Sequence, residues 1–178
     1  LGKNEIFIGA EKDLVYKLNC KTLQAEKIFE TESNHSISQI FADTINGNVF
    51  FNSIKFNILN KNNQITNEFS IAIKDVKKVD HKYFSFAASG LVGIFYINKN
   101  LKSNWDFIYE KSKNINFSGF NQVALLINTN GKSTEYNAIN NTIYYATNNG
   151  LIAVTNDGKS KEIKHNNETL FLLKIQKY

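Results

Sequence analysis

Apolar residues in this chain come in short bursts, either alternating with polar residues or running together. The bursts are rich in Ile, Val, Phe and Tyr, which suit a half-buried pleated surface. They predict strands at Glu5–Ala10, Leu14–Leu18, Ile37–Phe41, Asn48–Phe51, Phe56–Leu59, Tyr83–Ala87, Leu91–Ile97, Val123–Ile127, Thr142–Thr147, Leu151–Val154 and Leu170–Ile175. Between them stand Asn46-Gly47, Asn130-Gly131, Asn149-Gly150 and Asp157-Gly158. Such pairs tolerate the positive φ angles of tight hairpin turns. No stretch of about twelve residues carries a capped helical stripe. The chain reads as all-β.

Comparison of the chain with itself adds a repeat. Asn4–Leu18, Gly47–Leu59, His81–Phe95 and Asn141–Val154 align by residue type, placing Phe7, Phe50, Phe84 and Tyr144 in register. Each segment is an aromatic-bearing strand, a small-residue turn and a second apolar strand. A more polar strand follows at Gln64–Phe69 and Lys159–Ile163, and an apolar one precedes at Ile37–Phe41 and recurs at Leu170–Ile175. Repeated units of four antiparallel strands predict a β-propeller or partial propeller of about four blades. Stacking is the physical reason, since one sheet has two faces to cover and neighbouring blades cover them.

Two stretches carry a more specific likeness: Ser38–Asp43 leading into Asn46–Phe51, and Asn141–Leu151. They resemble the V-x-x-I-x-x-D-x-x-G-x-[IV]-W-[IV]-G-T-x-x-G-L repeat of two-component-regulator propellers. Those propellers form periplasmic sensor regions of bacterial hybrid histidine kinases, and similar ones occur in type IX secretion proteins. Phe7, Phe50, Phe84 or Tyr144 replaces the family tryptophan, and its Gly-Thr pair survives only as Gly9-Ala10 or Ala146-Thr147. Residues 111–140 depart from the pattern, as an insertion or a degenerate blade. Nothing matches a kinase or response-regulator segment. The resemblance implies a periplasmic or extracellular sensor module. Residues 1–178 then read as a single propeller-like domain, a portion of a longer protein. Either the predicted strand at Leu170–Ile175 completes the first blade, or the chain is part of a longer array with exposed edges.

Composition narrows the chemistry. All 21 basic residues are lysine, against 16 acids, for a net charge of +5. Arginine, the residue whose planar fork reads phosphate and guanine, is absent. The densest basic run, Lys74, Lys77, Lys78 and Lys82, is interrupted by Asp75 and Asp80 and reads as a solvated surface. No specific nucleic-acid partner is expected. The chain has 27 Asn and no Pro or Met, the signature of drift in an AT-rich genome. Sequons at Asn34, Asn116, Asn140 and Asn167 are what so much Asn yields by chance.

No motif signals catalysis. His35, His81 and His165 lack ligand spacing, and Cys20 stands alone in a turn, so neither metal nor disulfide is expected. Ser89-Gly90 lacks the nucleophile-elbow frame and reads as a hairpin turn. Gly90–Gly93 falls inside a strand pair rather than before a helix, so it is no phosphate cradle. Asp43 stands where the repeat uses Asp for a turn. Trp105, in Lys102–Tyr109, reads as an outer-strand residue packing between blades, with sugar stacking or an interface role as the alternative. No cofactor is implied.

Function then rests on loops. Those joining second to third strands, and those joining blades, share one face in a propeller. Glu11, His35, Ser89, Asn149 and His165 are the candidate ligand-binding residues there, for a small molecule, glycan or protein. Membrane attachment would come only through a parent protein. The main reading is an extracytoplasmic sensor without catalysis. The alternatives are a scaffold in a secretion or cell-surface assembly, and a polysaccharide-acting enzyme.

Overall fold

The computed structural model describes residues 4–30, 35–43, 45–69, 71, 73–97, 100–106 and 123–164. Among them run fifteen strands. They are β1 (Glu5–Gly9), β2 (Val15–Asn19), β3 (Gln24–Phe29), β4 (Gln39–Asp43), β5 (Asn48–Asn52), β6 (Phe56–Leu59), β7 (Ile65–Phe69), β8 (Ile73–Lys78), β9 (Tyr83–Ala88), β10 (Leu91–Tyr96), β11 (Val123–Asn128), β12 (Gly131–Asn137), β13 (Thr142–Thr147), β14 (Gly150–Thr155) and β15 (Ser160–Lys164). Every pairing is antiparallel and joins consecutive strands. Four sheets result: β1–β3, β4–β7, β8–β11 and β12–β15. The first two belong to one compact unit, Leu1–Ala72, and the last two to another, Ile73–Tyr178. The predicted strand at Leu170–Ile175 lies outside the described residues.

The four aligned segments are the hairpins β1-β2, β5-β6, β9-β10 and β13-β14. Three strands had no apolar burst to reveal them: β3 (QAEKIF), β8 (IKDVKK) and β12 (GKSTEYN). Neighbouring strands supply their backbone hydrogen bonds, so pairing rather than side-chain type holds them. In 111–140, β11 completes the third sheet and β12 opens the fourth. The departure from the repeat is therefore an insertion. Residues 97–122 join β10 to β11 where residues 20–23, 60–64 and 156–159 make the matching links elsewhere.

Each unit has its own core. In the first, Phe7 and Val15 of the β1–β3 sheet pack with Val49, Phe51 and Leu59 of the next. In the second, Tyr83, Ala87, Val92, Ile94 and Tyr96 pack with Ile143, Tyr145, Ile152 and Val154. The equivalence of Phe84 with Tyr144 does not survive. Counted back from the hairpin turns, Tyr144 matches Ser85, and Phe84 matches Ile143. A slip of one residue exchanges the two faces of a sheet. Phe84 is buried and stacks on Phe95 (5.3 Å), whereas Tyr144 is half-buried.

Trp105 is also relocated. It lies in a turn, not an outer strand, its backbone N–H donating to Ser103 Oγ (3.0 Å). The indole is nonetheless buried, edge-on to Tyr136 of β12 (5.9 Å, 73°).

Candidate functional site

Turns and sheet-to-sheet crossings at one end of the strands carry the predicted site. In the first unit, Glu11 is exposed in the turn between β1 and β2. That turn is tied to the segment entering β4. The Asp13 N–H donates to the His35 carbonyl (2.7 Å) and the Ile37 N–H to the Ala10 carbonyl (3.1 Å). Exposed Glu11 and His35 are thus brought onto hydrogen-bonded neighbouring loops.

In the second unit, Asn130 joins two hairpin turns. Its side-chain carbonyl accepts from the Gly90 N–H (2.8 Å), and its backbone carbonyl accepts from the Asn148 N–H (3.1 Å). Beside these bonds stand exposed Ser89 and Asn149. Thr147 Oγ1 braces the second turn, donating to the Gly150 carbonyl and accepting from the Asn149 N–H. Asn130-Gly131 is therefore not a hairpin turn, as its sequence suggests. It is the crossing from β11 to β12, and Gly131 has no positive φ. Asn-Gly chemistry alone cannot separate a hairpin from a crossing; which strands flank it decides. His165 lies outside the described residues.

The other end of the strands is built from Asx turns. Asp43, Asp80 and Asn137 accept backbone N–H bonds after first strands. Asn19 does so after β2, Asn60 after β6 and Asp157 after β14. Asp43 is buried and has the structural role its place in the repeat implies.

In the third sheet this end holds a polar cluster that sequence reading missed. Lys82 is 3% exposed rather than part of a solvated basic run. Its Nζ meets Asp106 Oδ1 (2.6 Å) and the Leu101 carbonyl (2.9 Å), and lies over the Tyr83 ring. Tyr83 donates to the same Asp106 oxygen (2.8 Å), and Ser103 bonds Asp80. Burial would push the Asp106 carboxyl up, but bonds from Lys82, Tyr83 and the Ser103 N–H outweigh it and hold it below the usual range. Burial first, and the bond to Asp106 second, push the Tyr83 phenol far up. These groups anchor the start of the long β10–β11 connection. Their donors and acceptors are engaged with one another, which is the arrangement of a structural clasp.

Grooves occur elsewhere. One of about 200 Å³ lies in the first unit against Phe7, Lys17, Val49 and Lys61, and a larger open one lies on the fourth sheet. Neither is lined by Glu11, His35, Ser89 or Asn149.

No family model matches the sequence, and no curated protein matches it. Solved structures do. The chain superposes over 94% of its length on the β-propeller domain of Myceliophteria thermophila Cps50 (Swd1), with TM-score 0.63 and 8% identity. This is a β-propeller fold. Similar matches are the computationally designed Ika8 protein (99% of this chain, TM-score 0.65, 10% identity) and Saccharomyces cerevisiae Sqt1 (90%, 0.60, 13%). The chain spans about half the length of each: 58%, 51% and 45% respectively. Its four sheets are propeller blades.

Proposed function

We propose that this chain is a non-catalytic interaction scaffold whose blade-end turns present a surface to a protein partner. The observation that carries the reading is Asn130, which fastens two successive turns into one platform with Ser89 and Asn149 exposed beside it. Fastened backbone and outward polar side chains suit a surface that meets another surface, because little ordering entropy remains to be lost on binding. Glu11 and His35 extend the same reading to the first unit. The finer reading, an extracytoplasmic sensor domain of the two-component-regulator type, rests on the repeat resemblance. It differs in giving these turns a small molecule or glycan.

The test is Ser89→Arg with Asn149→Arg, chosen because both residues are exposed. Cross-linking in extracts of the source organism should yield a defined protein with the native chain and lose it with the variant, at unchanged melting temperature. Equal capture by both would remove the platform from the interaction. A glycan or metabolite that raises the melting temperature of the native chain alone would install the sensor reading instead.

A further inference from the structure

The first two blades, both within the first unit, meet unevenly along β1. Strand alternation puts Glu5, Phe7 and Gly9 on one face, and Phe7 joins the core shared with the second blade. At Gly9 the approach is tight. A Cβ there would lie 2.5 Å from Ile37 Cγ2, in the segment that enters β4. At the Glu5 end of the same face the residues turn polar, and a cleft of about 200 Å³ lies between the two blades. Phe7 of the first blade and buried Val49 of the second give it an apolar lining.

Each wall brings one lysine, and the two differ. Lys17, opposite Phe7 in the register, lies 3.9 Å from Glu5 and 3.2 Å from Glu26, so two carboxylates share its charge. Lys61, in the link from β6 to β7, has no carboxylate within ion-pair distance among the described residues. Its stem rests on Gly47, where a Cβ would come within 3.2 Å of Lys61 Cβ. Asn63 of the same link also lines the cleft. Asn60 braces that link: its side-chain carbonyl accepts from the Asn62 and Gln64 N–H groups, and its backbone carbonyl from the Asn63 N–H (2.9 Å). A cation and an amide thus stand on backbone that is already ordered, which lowers the cost of using them.

We propose that this cleft binds a small free monocarboxylate with an apolar body, its carboxylate on Lys61 and Asn63 and its body against Phe7 and Val49. Size and charge select that class together. A water's share of liquid is about 30 Å³, so the cleft has room for about six or seven waters, or for one ring with a short acidic arm. One unmatched ammonium balances one negative charge, while Glu5 on the facing wall repels a second. Charge-assisted bonds to a carboxylate are the strong ones such a rim can make. The site lies at the Asx-turn end of the strands, away from the turns that carry Glu11 and His35, and goes beyond the partner surface proposed there.

Calorimetric titration of the full chain with phenylacetate and with isovalerate tests the proposal, against phenylacetamide and phenethylamine as neutral and cationic counterparts. At least one acid should bind, and at least about tenfold more tightly than either counterpart. Lys61 is exposed, so its variants should fold. Lys61→Gln should erase the preference for acid, and Lys61→Glu should transfer it to the amine. Asn63→Gly suits the positive φ of that position (60°) and should weaken acid binding at unchanged melting temperature. Lys21→Gln, at an exposed lysine of the β2–β3 link, should bind acid as the native chain does. The proposal is overturned if neither acid binds, if the amide binds as well, if Lys61→Gln keeps the preference, or if Lys21→Gln loses it. A peptide ending in phenylalanine that binds more tightly than the free acids overturns it too, since the occupant would then be a chain terminus. The Ser89→Arg, Asn149→Arg chain should bind acid as the native chain does, so failure here and failure of the blade-end platform read separately.

Discussion

Tyr145 shows what one residue does across a blade boundary. Its ring is fully buried, and its hydroxyl donates to the Gly93 carbonyl of the third blade (2.8 Å). Burial pushes its phenol well above the ordinary value of 10.0. The raised value sets a sign: stability is fully present below pH 10 and declines above it, where the unfolded chain ionises and the folded one does not. Tyr145→Phe should therefore flatten the alkaline limb of a stability-against-pH curve. At neutral pH it should cost about 1–2 kcal/mol, through a buried carbonyl left short of a donor. Chemical denaturation across the alkaline range measures both. The abundant Asn also acquires a physical use here. Asx turns at Asn19, Asn60 and Asn137, with Asp43, Asp80 and Asp157, show where folding employs these side chains.

Among elements, the β9-β10 hairpin carries a glycine that leaves no room for a side chain. A Cβ on Gly93 would lie 2.3 Å from the Leu125 carbonyl and 2.9 Å from the Phe86 ring. Backbone cannot yield as a flexible side chain does, so Gly93→Ala should cost at least about 2 kcal/mol. Gly90, three residues away in the turn, has open space around its Cβ direction but a φ of +87°. Only backbone strain opposes Gly90→Ala, and about 1 kcal/mol is expected. Equilibrium unfolding of the pair separates collision from strain. The two aromatics once aligned together separate in the same way. Phe84→Ala should cost about 3–5 kcal/mol as a buried truncation. Tyr144→Ala, at a half-buried position, should cost no more than about 1 kcal/mol. Equal costs would return both residues to one face. That alignment failed because aromatic bursts identify a hairpin while leaving its register free by one residue.

On the scale of the whole molecule, blades are built from neighbours in sequence and stabilised by neighbours in space. The sequence by itself determined the all-β class, the hairpin cores and most turn positions. Alternation and turn chemistry act over a few residues, so the chain carries them openly. The same locality made Glu11, His35, Ser89 and Asn149 legible as exposed loop residues, since a small polar turn between two strands has few other places to go. Tertiary structure alone decided which side of each hairpin is covered and that Lys82 is buried against Asp106. It also placed Trp105 in a turn rather than a strand, and made Asn130 a fastening between turns. Each of these depends on a partner far along the chain: Asp106 for Lys82, Tyr136 for Trp105, Gly90 for Asn130. Burial is a property of what packs on a residue, and a local pattern of apolar and polar positions does not contain it.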